Sequence, residues 1–252
     1  MSKIDAAKFV LQCQNWPELA IPIATHKTLT RVILKNGIRF ESYDMHWPDI
    51  YGIFFQNWYT PPFLPIEKND VVVDIGANIG VFTVFAALRT QNTVYAFEPF
   101  PSTFETLEQN VRANGLRNVI PYQCAVSDSN GTELLFEADG SRSHRLKKVA
   151  RGEDENYIEV PSITLQDFMD KNHLEQIDFL KMDCEGAEAI ILKSTSRDYL
   201  QRIRKIVMEV HDGISKIKHD QIRELLEEAD FSTKVDLGDS KSQVDLLSAW
   251  RS

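Results

Sequence analysis

Short apolar runs alternate with helical stretches between residues 71 and 210. Residues 71–73 are three consecutive valines, which predict a strand buried on both faces. Residues 81–88 follow as an apolar stretch that is long enough for a helix. The same order of strand and helix recurs, with further strands predicted at residues 93–97, 119–124, 177–182 and 203–210. This alternation predicts an α/β fold with a mainly parallel sheet.

The first 65 residues have a different pattern. Residues 4–14 predict a short helix, and Asn36-Gly37 between two β-rich runs predicts an N-terminal β-hairpin. Residues 44–65 are rich in aromatic side chains, and we expect this aromatic segment to pack over one end of the sheet. In the alternative, the segment is a lid whose Tyr59 reaches the ligand pocket.

The chain is therefore divided into a smaller and a larger part. Residues 1–65 are the hairpin and lid segment packed on the core, and residues 66–252 are the ligand-binding domain. No linker rich in Pro, Gly or Ser precedes residue 71, so we expect a single globular unit. Residues 231–236 and 244–250 predict a final antiparallel pair of strands.

The turn after the first strand carries the strongest ligand-binding signal. Asp74 ends the strand, and Gly76 and Gly80 follow in a turn of small residues. Ligands of doubly wound α/β folds bind at this turn, where a glycine lets the backbone approach them closely. A dinucleotide-binding turn has the spacing Gly-x-Gly-x-x-Gly, but here Asn78 and Val81 occupy the second and third glycine positions.

The acidic residue before this turn favours a ligand that carries a positive charge. S-adenosylmethionine has an ammonium, a sulfonium and a carboxylate but no phosphate. We predict that Asp74 orients the ammonium and that the amides of the turn bind the carboxylate. In the alternative, the segment is an ordinary strand, turn and helix in which Asp74 has a capping role.

The next two strands end at candidate contacts for a nucleoside. Glu98 follows the second strand, 24 residues after Asp74, where a carboxylate with two acceptor oxygens binds a ribose diol. Ala125 follows the third strand, where a small side chain leaves room for adenine. The alternatives are that Glu98 is solvated at the strand end and that residues 127–131 are a plain turn.

A second polar cluster follows the strand at residues 177–182. Asp183, Glu185 and Glu188 lie at its carboxyl end, where three negative charges repel one another unless a cation is present. We expect Asp183 and Glu185 to be functional, and Glu188 to face solvent or to cap the next helix. His211 follows a neighbouring strand and is a candidate general base, with a structural role as the alternative.

Composition argues against several classes of protein. The net charge of −9 disfavours a general nucleic-acid binder, and neither a signal peptide nor a run of about 18 apolar residues is found. Three widely spaced cysteines favour reduced thiols in a cytoplasm over disulfides or structural zinc. We therefore expect a cytoplasmic protein without nucleic-acid, membrane or metal partners, and its oligomeric state stays open.

Residues 138–156 are a polar stretch without an apolar period, which predicts a long loop. The stretch contains five basic residues and His144 in an otherwise acidic protein. One interpretation is a loop that binds a small-molecule acceptor of acidic or phosphorylated character. The other is a solvated loop without a binding role, and the sequence leaves both interpretations open.

Five blocks of the sequence carry a family resemblance. They lie at residues 73–80, 96–99, 125–128, 178–188 and 209–211. Together they resemble the FkbM family of S-adenosylmethionine-dependent methyltransferases over about residues 60 to 250. The resemblance implies a Rossmann-like class I methyltransferase fold, whose seven-stranded, mostly parallel sheet has an antiparallel last strand. It also implies O-methylation of small molecules, often sugars and secondary metabolites.

The resemblance and the strand-end positions together define the expected site. The residues expected to bind S-adenosylmethionine are Asp74, Gly76, Ala77, Asn78, Gly80, Glu98, Pro99, Ala125 and Asp183. The base that removes a proton from the acceptor hydroxyl is expected to be Asp183, Glu185 or His211. In the alternative, Asp183 with Glu209 or His211 holds a divalent metal that lowers the pKa of the hydroxyl.

Two further functions stay open. One is an NAD-dependent oxidoreductase or nucleotide-binding module on the same fold, against which the missing glycine at Val81 argues. The other is a methyltransferase that acts on a protein or a nucleic acid, and the acidic balance of the chain disfavours RNA.

Overall fold

The computed structural model describes residues 1–25, 27–137, 144–146, 157–184, 186–211, 219–236 and 244–251. The helices in these ranges are α1 (Lys3–Gln12), α2 (Trp16–Ala24), α3 (Trp47–Phe55), α4 (Val81–Ala87), α5 (Pro101–Ala113), α6 (Leu165–Lys171), α7 (Glu188–Ser194), α8 (Arg197–Leu200) and α9 (His219–Glu228). The strands are β1 (Leu29–Ile33), β2 (Arg39–Met45), β3 (Val72–Ile75), β4 (Val94–Phe97), β5 (Val119–Tyr122), β6 (Ala125–Val126), β7 (Gly131–Glu137), β8 (His144–Leu146), β9 (Tyr157–Ile163), β10 (Ile177–Met182), β11 (Ile203–His211), β12 (Ser232–Asp236) and β13 (Val244–Trp250).

Seven strands form the central sheet. Their order is β12-β13-β11-β10-β3-β4-β5, and the strands from β11 to β5 are parallel to one another. β13, the last strand, runs antiparallel to both of its neighbours, β11 and β12. This topology confirms the predicted α/β fold of the Rossmann-like class I methyltransferase type.

The first strand-and-helix unit lies at the centre of the sheet. Every residue of β3 and of α4 is buried, as their continuous apolar patterns predict. The sheet grows from β3 through β4 to β5 on one side, and through β10 to β11 on the other. In such folds, the ligand binds in a crevice outside the carboxyl end of the strand at which the order of the strands reverses, which here is β3.

The N-terminal residues share a hydrophobic core with this unit. β1 and β2 form the predicted antiparallel hairpin, and α3 lies within the aromatic segment. The ring of Phe54 meets that of Phe85 edge-on at a centroid distance of 5.3 Å, and Tyr59 packs on Phe82 at 5.5 Å. The aromatic segment thus packs on α4, while the division of the chain at residue 65 stays a prediction.

The second sheet and the helices α2, α3 and α8 were not predicted. β6, β9, β7 and β8 form a four-stranded sheet beside the central one. β8 lies inside the stretch predicted as a loop, so that prediction is wrong for residues 144–146, while the other residues of 138–156 lie outside the described ranges. Pairing with β7, rather than a local pattern, defines this short strand. α2 contains Pro22 in its interior, which argues against a helix when the sequence alone is considered.

Other features bear on the class of protein. The three cysteines, Cys13, Cys124 and Cys184, are free thiols. Within the described ranges, every helix is too short or too polar to traverse a lipid bilayer.

A buried ion pair fastens β11 to the segment that precedes β3. Lys205 Nζ donates a hydrogen bond of 2.8 Å to Asp70 Oδ2 and another of 2.8 Å to the carbonyl oxygen of Pro65. The two charged side chains are only 8% and 3% exposed. Removing one partner of such a pair leaves a buried charge without compensation, which strongly destabilises a protein.

We expect Lys205→Met to lower the free energy of unfolding by about 3 kcal/mol, because it leaves the Asp70 carboxylate buried and unpaired. The control is Arg31→Met, which breaks an exposed pair with Glu41 at 3.3 Å and should cost less than about 1 kcal/mol. Urea denaturation at pH 7 measures both values. Equally small losses in the two variants would contradict a stabilising role for the buried pair.

Candidate functional site

Two neighbouring cavities lie outside the carboxyl ends of the central strands. Their volumes are about 90 Å³ and about 390 Å³, and we call them the small cavity and the large cavity. Gly76, Asn78 and Asp183 line both of them. The cavities therefore meet where the turns that follow β3 and β10 face each other.

The predicted site residues are divided between these cavities. Glu98, Pro99 and Ala125 line the small cavity, and Ala77 lines the large one. The large cavity is also lined by polar and aromatic residues that were not assigned to the cofactor site: His46, Asp49, Trp58, Tyr59, Phe82, Lys181 and Glu209.

The turn after β3 has a backbone that requires its glycines. Gly76, Asn78 and Gly80 adopt positive φ angles of +77°, +50° and +87°. A Cβ atom on Gly76 would lie 1.8 Å from the carbonyl oxygen of Asp183, so no other residue fits there. A Cβ atom on Gly80 would lie 2.5 Å from Leu107 Cδ1, which places Gly80 against α5. Gly76 thus lets the two strand ends approach each other.

A buried lysine holds this turn in place. Lys181 Nζ donates a hydrogen bond of 2.7 Å to the carbonyl oxygen of Gly76 and lies 3.1 Å from Asp74 Oδ1. Burial by itself lowers the pKa of Lys181, but the carboxylates of Asp74 and Asp183 together more than offset this, and its pKa is raised. Lys181 is therefore charged at neutral pH and links β10 to the turn.

Asp74 is buried in the structure, and its contact with the ammonium of S-adenosylmethionine stays a prediction. Its side chain is 0% exposed, and of the described residues that line the two cavities, none is Asp74. One oxygen accepts a hydrogen bond of 2.6 Å from Thr83 Oγ1, and the other faces Lys181. Within the described structure, Asp74 is thus paired with groups of the protein. Its cation is a lysine on the neighbouring strand, and the sequence analysis did not pair the two.

Each N–H from Gly76 to Gly80 has an acceptor in the protein, and the expected carboxylate site at these amides stays a prediction. Those of Gly76 and Ala77 donate to the carbonyl oxygen of Phe97. That of Asn78 donates to Glu98 Oε2, that of Ile79 to Asn78 Oδ1, and that of Gly80 to the carbonyl oxygen of Ala77. All five N–H groups are thus hydrogen-bonded within the protein.

Glu98 lies where the sequence placed it, at the end of β4. Its side chain lines the small cavity and accepts hydrogen bonds of 2.9 Å from the N–H groups of Asn78 and Phe100. Burial raises the pKa of Glu98 to about 7, although these two donors lower it. Each oxygen accepts one hydrogen bond and has capacity for another.

Three residues from distant parts of the chain form a hydrogen-bonded group in the large cavity, which we call the triad. The Tyr59 hydroxyl lies 3.1 Å from Asp183 Oδ2 and 2.6 Å from Glu209 Oε1. Burial, followed by the charges of Asp183 and Glu209, raises the pKa of Tyr59. Burial, followed by the charge of Asp183, raises the pKa of Glu209 to about 8. From the sequence alone, Tyr59 was expected at the site only as part of a lid, and Glu209 only as a metal ligand.

The other predicted catalytic residues are not placed by the structure. Glu185 and the side chain of His211 lie outside the described residues. Glu188, which was expected to face solvent or to cap the next helix, is 1% exposed and so does not face solvent. It accepts hydrogen bonds of 2.9 Å and 3.0 Å from the N–H groups of Cys184 and Gly186, and so holds the turn before α7.

The metal alternative gains no support from the described part of the chain. Among those residues, no group of three or more His, Cys, Asp or Glu side chains has the arrangement of a metal site. The Tyr59 hydroxyl occupies the space between the carboxylates of Asp183 and Glu209.

Comparison with known proteins identifies the family. The model of the methyltransferase FkbM domain matches residues 74–233, which include both strand ends that line the site. The chain belongs to the FkbM methyltransferase family. Membership confirms the resemblance stated from the sequence.

Three relatives illustrate the FkbM-family match. The 31-O-demethyl-FK506 methyltransferase FkbM of Streptomyces tacrolimicus is 31% identical over 192 residues, which cover 64% of this chain and 72% of that protein. The hexuronic acid methyltransferase AglP of Haloferax volcanii is 31% identical over 170 residues, which cover 67% and 66%. Methyltransferase 1 of Beauveria bassiana is 27% identical over 196 residues, which cover 69% and 77%. This FkbM-family chain is accordingly a methyltransferase.

The role of Gly76 can be tested against a glycine with a similar backbone. Gly76→Ala should lower the free energy of unfolding by at least about 2 kcal/mol more than Gly37→Ala does. Both positions have a positive φ, +77° and +88°, but a Cβ on Gly37 meets no atom within 4 Å. Chemical denaturation measures the difference. Equal losses would mean that the approach to Asp183 does not constrain position 76.

Proposed function

We propose that this FkbM-family protein transfers a methyl group from S-adenosylmethionine to a hydroxyl oxygen of a small molecule. The observation that carries the proposal is the pair of cavities that share Gly76, Asn78 and Asp183. A donor in one cavity and an acceptor in the other would meet at these residues, which is the positioning that transfer between two substrates needs. The family and its methyltransferase relatives support methyl transfer as the reaction.

The small cavity has the chemistry to hold the nucleoside part of the donor. Glu98 presents two carboxylate oxygens, which suit the two hydroxyl donors of a ribose. Ala125 is a small residue in the wall, and Gly76 has no side chain to fill the space. The carboxylate and the small residues of the wall both fit S-adenosylmethionine. The acidic character of the wall suits the positive charge of this molecule.

S-adenosylmethionine, when bound, supplies a methyl group that is already activated by a sulfonium. The protein must then orient the acceptor and remove its proton. Asp183 is suited to this because it has a carboxylate and lines both cavities. The Tyr59 hydroxyl at 3.1 Å and Lys181 Nζ at 3.8 Å fix that carboxylate at the junction.

The large cavity is the proposed acceptor site. Trp58, Tyr59 and Phe82 give it aromatic walls, while His46 and Asp49 add polar groups, a combination that binds a small molecule in a defined orientation. The acidic-acceptor role of residues 138–156 remains a proposal, and most of that stretch lies outside the described ranges. The net charge of −9 favours a small molecule over a nucleic acid as the acceptor.

We expect S-adenosylhomocysteine to bind the purified protein and Glu98→Gln to weaken this binding about tenfold or more, because a charged acceptor for the ribose is lost. Isothermal titration calorimetry measures the affinity, and thermal unfolding checks that the variant is folded. The control is Glu41→Gln, which changes an exposed carboxylate away from the site.

Wild-type affinity in a folded Glu98→Gln variant would contradict the assigned ribose contact. A protein that binds NAD but not S-adenosylhomocysteine would overturn the proposed function.

Radioactive methyl transfer tests the class of acceptor. With S-adenosylmethionine labelled in its methyl group and a cell extract as the source of acceptors, label should enter a low-molecular-weight product. The label should resist mild base, because an ether is stable under conditions that hydrolyse a methyl ester. Label recovered in protein or RNA, or released by base, would contradict O-methylation of a small-molecule hydroxyl.

A further inference from the structure

We infer that the triad of Tyr59, Asp183 and Glu209 accepts the proton of the acceptor hydroxyl as one unit, an inference that rests on the proposed function. Asp183 is the catalytic residue, because it lines both cavities and would touch the acceptor. Tyr59 and Glu209 are positioning residues, which act through Asp183.

When both carboxyl groups are ionised, the triad has one proton for two oxygen–oxygen contacts, and each contact needs a proton to become a hydrogen bond. The Tyr59 oxygen lies at hydrogen-bond distance from both carboxylates, 2.6 Å from Glu209 and 3.1 Å from Asp183. A phenol has one proton and can donate it to only one of them. The other contact then brings two oxygen atoms together without a hydrogen between them, which is unfavourable in a buried site. One added proton converts both contacts into hydrogen bonds.

Glu209 is ionised above its midpoint near 8, and in that state the acceptor hydroxyl supplies the missing proton. Its O–H bond breaks, the bonding electron pair stays on the acceptor oxygen, and the proton moves to Asp183. Asp183 then donates to the Tyr59 oxygen, and Tyr59 donates to Glu209. The triad changes from two negative charges to one, and its second hydrogen bond forms as the proton arrives.

Charged and titratable groups from several elements surround the triad. Lys181 Nζ on β10 lies 3.8 Å from Asp183 Oδ2 and 5.3 Å from the centre of the Tyr59 ring. Lys181 is also paired with Asp74, so its charge is shared between two carboxylates. The remaining groups beside the triad are His46 and Asp49 in the same cavity and Cys184 and Glu188 next to Asp183, while the side chain of His211 lies outside the described residues.

The triad predicts opposite effects of two substitutions on Glu209. The charge of Asp183 raises the pKa of Glu209, whereas the hydrogen bond from Tyr59 lowers it. Asp183→Asn removes the repelling charge and should therefore lower the titration midpoint of Glu209. Tyr59→Phe removes the hydrogen-bond donor and should raise it. A general opening of the site to water would instead lower the midpoint in both variants.

Carbon-13 NMR of protein labelled at the glutamate side-chain carboxyl carbon measures this midpoint directly, without an acceptor. The Glu209 signal is the one that Glu209→Gln removes. In the wild-type protein its midpoint should lie near 8, well above the ordinary value of 4.5. Asp183→Asn should lower the midpoint by at least about one unit, and Tyr59→Phe should raise it by at least about half a unit.

Two matched controls should leave the midpoint unchanged. Asp178→Asn removes a carboxylate at the other end of β10, and Tyr51→Phe removes a hydroxyl from another buried tyrosine, in α3. A wild-type midpoint near 4.5, or shifts of the same sign in Asp183→Asn and Tyr59→Phe, would overturn the inference.

Calorimetry with S-adenosylhomocysteine on the same samples separates this inference from the proposed function. If the protein binds S-adenosylhomocysteine but Glu209 titrates independently of Asp183 and Tyr59, only the inference about the triad is overturned. A wild-type protein that does not bind it overturns the proposed function, even if Glu209 titrates as described.

Discussion

A buried lysine between two strand ends holds the site together. Lys181 on β10 lies beside Asp74 on β3 in the sheet register, pairs with it at 3.1 Å, and donates to the carbonyl oxygen of Gly76. Because water is excluded from this ion pair, neither residue can move without leaving a buried charge unpaired. The same contacts fix the turn after β3 against the turn after β10. The two cavities meet at these turns, so their shape depends on this ion pair.

The aromatic segment belongs both to the core and to the site. The ring of Tyr59 packs on Phe82 of α4, and its hydroxyl reaches two carboxylates on β10 and β11. Packing and chemistry are thus coupled, since the apolar contact that buries the ring also sets the position of the hydroxyl. The two interpretations of the segment drawn from the sequence, packing and contact with the pocket, apply to the same residue.

Local features of the fold and the site could be predicted from the sequence, and contacts between distant strands could not. The glycines at 76 and 80 and the position of Glu98 depend on one strand and its following turn, so the pattern of adjacent residues was sufficient. The pairing of Asp74 with Lys181 depends on the register of two strands, and Tyr59 and Glu209 are 150 residues apart. β8 was likewise missed, because its three residues form a strand only by pairing with β7.

The binding free energy of S-adenosylhomocysteine in a double-mutant cycle of Asp74→Asn and Lys181→Met tests the central claim most directly. If the ion pair organises the turn, each single variant should bind about tenfold more weakly, because Lys181→Met leaves Asp74 buried without its cation and Asp74→Asn leaves Lys181 with only Asp183, at 3.8 Å. The double variant should bind no more weakly than either single variant, since both charges of the buried pair are then removed. Wild-type affinity in Lys181→Met, or losses that simply add in the double variant, would contradict the account.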